Sequence, residues 1–263
     1  MKLNEAKGDW ALVTGASSGI GQEFAIQLAR AGMHLVLVAR RRERLEALAL
    51  NLQQDYGVQT RVIAADLTER DQAARVHAEL SRDGIKVRLL CNNAGSGRWG
   101  RFESTAAVDY ERMNALNTSA MVAMCHCFFE DLKSFPSSAV INVSSPATYQ
   151  PVPYMAVYAA SKAFVQSFSQ ALHGEWKEHG ILVQTLVPGP TASEFDELAG
   201  AYASALLGRG RPGAVASASL AALAGGAPVV TVAKGIYKQR VFAGLAPSSM
   251  VIREVAKMFK PPV

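Results

Sequence analysis

Short aliphatic runs alternate with longer segments of helical period along almost the whole chain. Strand-like runs lie at WALVT from Trp10, HLVLVA from His34, TRVIAA from Thr60, VRLLCN from Val87, AVINVS from Ala139, LVQTLV from Leu182 and PVVTV from Pro228. Between them, apolar residues at spacings of three and four predict helices beginning near Ile20, Arg42, Glu69, Glu103, Met155, Glu194 and Pro212, and a last amphipathic helix from Pro247 to Lys260. Several strands lack polar alternation, as expected of a parallel sheet covered by helices on both faces. The pattern predicts an α/β protein of about seven parallel strands, and with no repeat or low-complexity linker it predicts a single domain over residues 1–263.

In such a sheet ligands sit beyond the carboxyl ends of the strands, so the loops there carry the chemistry. The first strand runs into TGASSGIG, residues 14–21, and then into an apolar-periodic helix. Gly15, Gly19 and Gly21 allow a tight turn and close backbone approach, and the free N–H groups of a helix start suit a diphosphate. Ser17, Ser18 and Ile20 complete the turn. The spacing differs from GxGxxG, so the nucleotide reading rests on strand before and helix after. The second strand ends in Ala39-Arg40-Arg41-Arg42, with no acid where an NAD-binding fold places one for the ribose hydroxyl. An arginine there, Arg40 or Arg41, bonds a 2′-phosphate, which favours NADP(H). Asp66-Leu67 closes the third strand, where Asp66 can accept from an adenine amino group, cap the next helix, or do both. Asn93, Ala94 and Gly95 close the fourth, small enough to pass near a ligand and with an amide able to tie adjoining loops together.

YMAVYAASK contains Tyr158 and Lys162 four residues apart with no other charge nearby. On a helix they share one face. A tyrosine of ordinary pKa near 10 is a poor base, and a neighbouring ammonium favours its phenolate.

TGASSGIG, NNAG, INVSS, YAASK and LVPGP, in that order, resemble the short-chain dehydrogenase/reductase family over residues 8–235. The resemblance implies a Rossmann-type doubly wound sheet with a substrate loop near 190–213. It implies a catalytic set of Asn117, Ser145, Tyr158 and Lys162, with Ser145 chosen over Ser144 because it lies thirteen residues before Tyr158. Lys162 would also hold the nicotinamide ribose, Asn117 would position a water for a proton relay, and Pro188, Gly189 and Thr191 would pass beside the nicotinamide. A looser likeness is to a bacterial NADP-type subgroup. Homodimers or homotetramers are expected from the family. Pro146, directly after Ser145, departs from its pattern and bears on the substrate wall.

Composition narrows the remaining choices. The 27 basic and 22 acidic residues leave a net charge of +5, too small and dispersed for nucleic acid. The five histidines form no metal-ligand spacing, and GASSG does not fit a nucleophile elbow. Three cysteines without a CxxC pair, no apolar leader before the first strand and no convincing span predict reduced thiols and a cytoplasmic location. Residues 96–102, 146–157 and 193–213 offer Trp99, Tyr149, Tyr154, Met155, Phe195 and Tyr202 as walls for an apolar or aromatic carbonyl compound. The first expectation is an NADPH-dependent carbonyl reductase. A carrier-bound 3-oxoacyl reductase is the enzymatic alternative, and a non-catalytic NADPH-binding scaffold the alternative of another class.

Overall fold

The computed structural model describes residues 1–195, 199, 210–233 and 235–261. Its strands are β1 (Trp10–Thr14), β2 (His34–Ala39), β3 (Thr60–Ala64), β4 (Val87–Asn92), β5 (Ser138–Val143), β6 (Ile181–Pro188) and β7 (Val229–Val232). They form one parallel sheet in the order β3-β2-β1-β4-β5-β6-β7. The chain moves outward from β1 to β3, then returns to lay β4 on the other side of β1. That reversal opens a crevice between the ends of Thr14 and Asn92.

Every residue of β4, β5 and β6 is buried, whereas the edge strands β3 and β7 are mostly half-buried. The missing polar alternation therefore marks the central strands. Their side chains divide between two layers. Leu35 and Leu37 pack with Phe24, Leu28 and Leu45 on one face, while Val36 and Val38 pack with Leu80, Phe128 and Val165 on the other. Each such side chain contributes roughly 1.5–3 kcal/mol by leaving water.

The first layer is covered by α1 (Gly19–Arg30), α2 (Arg42–Tyr56) and α8 (Pro212–Ala222), and the second by α3 (Gln72–Arg82), α5 (Ala120–Cys127), α6 (Phe129–Lys133) and α7 (Ala156–Trp176). Two helix starts differ from the sequence pattern by several residues. The third helix begins at Gln72, not near Glu69, because Asp66 organises a turn and Asp71 takes a left-handed φ of 59°. Glu103 lies in a short turn, Phe102–Ser104, and α4 (Ala107–Asn114) follows it. A π-turn, Ala115–Ser119, then separates α4 from α5. Of the helix expected from Glu194, Phe195 and Ala199 are helical, and the residues between them lie outside the described set. After β7 come α9 (Ile236–Leu245), which the pattern did not predict, and α10 (Ser248–Phe259), which it placed within a residue.

The cysteines are free thiols. Burial raises all three pKa values, Cys125 to about 12. Among the described residues no helix is long and apolar enough to cross a membrane.

Candidate active site

The glycine-rich turn sits at the crevice. Gly15 and Gly19 adopt positive φ of 66° and 56°, which an L side chain resists. A β-carbon on Gly15 would stand 2.9 Å from Asn93 Nδ2, and one on Gly21 would collide with the Gly15 carbonyl. The turn thus leaves α1's N-terminus without a side-chain cap bond, with Ser18 as its cap residue and Ile20 packed on the core. Such a bare amide cradle fits a dinucleotide diphosphate.

Asn93 ties the loops together, as its amide type allows. Its Nδ2 donates to Thr14 O (3.0 Å) and Gly15 O (3.3 Å). The backbone N–H groups of Asn93 and Ala94 both donate to Thr14 Oγ1 at 3.0 Å, and that hydroxyl donates to Cys91 O. Thr14 is the hub of the crossing, and sequence reasoning missed it. The signal was a hydroxyl residue at the last position of β1.

Beyond β2, Arg40 and Arg41 are both exposed, and Arg41 lies across the glycine turn. Arg41 donates to Ser17 Oγ at 2.9 Å and to Ser18 Oγ at 3.1 Å. Arg41 and Arg44 both bind the carboxylate of Glu194. Arg44 and Glu194 were absent from the sequence-derived set. Asp66 caps no helix: its Oδ1 accepts from Thr68 N (3.0 Å) and Thr68 Oγ1 (2.8 Å), and Leu67 is buried behind it.

The candidate catalytic side chains come from three elements. Tyr158 and Lys162 stand one turn apart on α7, both buried, with Nζ 5.8 Å from the Tyr158 ring centroid. Lys162 Nζ donates to Val143 O at 3.0 Å, and burial lowers its pKa to about 8. Ser144 is buried and donates to Lys162 O, a bond inside the scaffold. Ser145 is half-buried at the end of β5, and its Oγ accepts from Ala147 N at 3.3 Å. Pro146 begins the short helical turn Pro146–Tyr149 that Ser145 caps, so the departure noted in the sequence shapes the wall beside the hydroxyl.

Asn117 lies buried in the π-turn, a helical irregularity common at functional sites. Its Oδ1 accepts from Ser96 N, and its Nδ2 donates to Ser96 O and Ser161 Oγ, all at 2.9–3.0 Å. A β-carbon on Gly95 would lie 3.2 Å from Asn117 Oδ1 and 3.3 Å from Lys162 Nζ. Gly95 therefore lets the amide and the ammonium approach the same backbone.

Pro188 closes β6, Gly189 N donates to Val232 O, and Thr191 Oγ1 donates back to Gly189 O. Past this turn, Phe195 packs on Tyr158 with ring centroids 5.5 Å apart and lies against Gly97. Met113, Val152, Met155, Val251 and Val255 form an apolar cluster around Tyr158. Trp99 Nε1 donates to Phe259 O at 2.8 Å, which brings α10 to this wall, a contribution the sequence did not signal. Tyr202 lies outside the described residues.

Residues 9–201 match the short chain dehydrogenase family. A very-long-chain 3-oxoacyl-CoA reductase of Anas platyrhynchos is 35% identical over 201 residues, 74% of this chain and 64% of that protein. The chain thus spans under two thirds of that relative's length. The fold matches a short-chain dehydrogenase from Sphingobium yanoikuyae in complex with NADPH at 32% identity and a TM-score of 0.82, covering 92% of this chain and 95% of that one. It also matches a bulky-bulky ketone specific alcohol dehydrogenase from Comamonas testosteroni, at 30% identity and a TM-score of 0.78, over 92% and 93% of the two chains.

Proposed function

The chain belongs to the short-chain dehydrogenase family, and on that premise we propose that it reduces an apolar or aromatic ketone or aldehyde to the alcohol with NADPH. The observation that carries this reading is the buried Tyr158–Lys162 pair on one face of α7, with an apolar cluster packed around Tyr158. Bound along the crevice, NADPH supplies the hydride. The amide cradle at Gly15 to Gly21 would take the diphosphate, Arg41 and Arg44 the 2′-phosphate, Asp66 and Leu67 would border the adenine, and the Pro188–Gly189–Thr191 turn the nicotinamide.

Ser145 Oγ–H donates to the substrate carbonyl oxygen and fixes it beside the Tyr158 hydroxyl. Tyr158 gives its proton to that oxygen as negative charge develops. Lys162, charged below about pH 8, stabilises the phenolate that remains and holds the ribose. Asn117 serves the relay from a fixed position: its side-chain amide is already spent on Ser96 and Ser161, so it acts by fixing the π-turn around Lys162. The wall of Phe195, Trp99, Met155 and Val251 excludes water and sets the apolar preference.

A 3-oxoacyl thioester is a second reading, favoured by the likeness to 3-oxoacyl-CoA reductases and by the net positive charge, which draws anionic carriers. The test is NADPH consumption across bulky ketones, aldehydes and 3-oxoacyl thioesters with Tyr158→Phe alongside. Turnover that falls at least ~100-fold in the mutant while NADPH still binds supports the assignment. Near-normal turnover in the mutant refutes it.

A further inference from the structure

We propose that Glu194 is a built-in competitor of the cofactor's 2′-phosphate, seated on Arg41 and Arg44 until NADPH displaces it. The inference rests on the cofactor reading above and adds to it a residue that tunes cofactor choice.

The geometry is that of an anion site already filled from within. Arg41 NH1 meets Glu194 Oε2 at 2.7 Å, and Arg44 NH1 holds the other carboxylate oxygen. Arg41 simultaneously reaches Ser17 Oγ and Ser18 Oγ at the start of α1. Two guanidiniums, two hydroxyls and a helix start converge where β2 ends, beside the glycine turn. This set binds a phosphate dianion, and here it binds a carboxylate. Hydrogen bonds from Arg44 and then Arg41 lower the Glu194 pKa to about 2, so the competitor stays charged at every working pH.

Glu194 is delivered by its neighbours. A β-carbon on Gly19 would stand 3.0 Å from Ser193 Cβ, and Phe195 packs on Tyr158 and Gly97. The segment is therefore anchored on both sides of the carboxylate. Tethering replaces a free anion with one at high effective concentration. The ion pairs are about one-third to one-half exposed, so they form a displaceable contact and not a lock. A phosphate dianion carries more charge than the carboxylate and displaces it, whereas a ligand lacking the 2′-phosphate leaves Glu194 in place.

The experiment is calorimetric binding of adenosine 2′,5′-bisphosphate, of 5′-AMP and of NADPH to the full chain and to Glu194→Gln, with Glu194→Ala as a second variant. Removing a competitor that holds the site most of the time tightens the two 2′-phosphorylated ligands by about threefold to tenfold, and leaves 5′-AMP unchanged. The paired control is Arg41→Ala/Arg44→Ala, which weakens both phosphorylated ligands about tenfold or more. If that control weakens them while both Glu194 variants bind as wild type or more weakly, the competitor role is refuted and the cofactor reading stands. If the arginine variant binds as wild type, the 2′-phosphate does not sit there, and both fall.

Discussion

The two ends of the sheet each bury a cation, and they treat it differently. At the amino end, Arg88 of β4 is only 7% exposed and makes four hydrogen bonds against the five N–H donors of a guanidinium. It donates to Glu5 O, Asp9 Oδ2, Ser137 O and Ser137 Oγ at 2.6–3.2 Å. At the carboxyl end, Lys162 is 5% exposed and donates one hydrogen bond to the described residues, to Val143 O. An ammonium has three donors. A well-paired buried charge is a structural bolt, whereas an under-paired one is held at a cost that a bound ligand or the loss of its proton relieves. The contrast supports the proposed site at the carboxyl end on physical grounds alone.

Lys162→Met is the sharpest way to break the comparison. Turnover is expected to fall ~100-fold or more, since the phenolate loses its cation and the ribose its donor. Folding stability is expected to hold or rise. The lowered pKa means that between about pH 8 and the unfolded value near 10.5 the unfolded chain keeps a proton the folded chain has released, so this group's contribution to stability rises with pH in that window. A fall in Tm beyond that of an ordinary core substitution contradicts the assignment of an unsatisfied charge. Arg88→Ala reverses the outcome: chemical denaturation is expected to show a loss of about 2–4 kcal/mol, from stranded carbonyls and the unpaired Asp9, with kcat intact. Loss of kcat at full stability makes the bolt reading wrong.

Two smaller effects sharpen the picture. In the free enzyme kcat/KM for carbonyl reduction is expected to fall above about pH 8, by about tenfold per unit, as the Lys162 ammonium gives up one proton. A pH–rate profile flat to pH 9.5 rules out control by that ammonium. Last, Arg41→Ala is expected to weaken NADPH by about tenfold and Arg40→Ala by less, because only Arg41 reaches the glycine turn. Fluorescence titration with NADPH reads both, and equal losses remove the distinction.

The sequence placed each strand within about two residues because the core-facing runs of β1, β2, β4, β5 and β6 are aliphatic with few polar interruptions. The glycine turn was legible from steric need, and Tyr158 with Lys162 from helical spacing. Thr14, Arg44 and Glu194 were not legible, since each matters through a partner distant in the chain: Asn93, Glu194 and Arg41. The contacts of Arg41 with Ser17, Ser18 and Glu194 also escaped the sequence, because adjacent arginines read alike until the direction of the chain at the end of β2 is known. The π-turn at Ala115–Ser119 left no mark in composition.

By itself, then, the chain's pattern of apolar runs, glycines and one tyrosine–lysine spacing determined a parallel α/β sheet and proposed a site at its carboxyl ends, because periodicity and backbone sterics are local properties. Only the tertiary structure decided which charges are well paired, which arginine lies across the turn and that Glu194 covers it. Those properties depend on distances between residues up to 153 positions apart, and no local rule carries them.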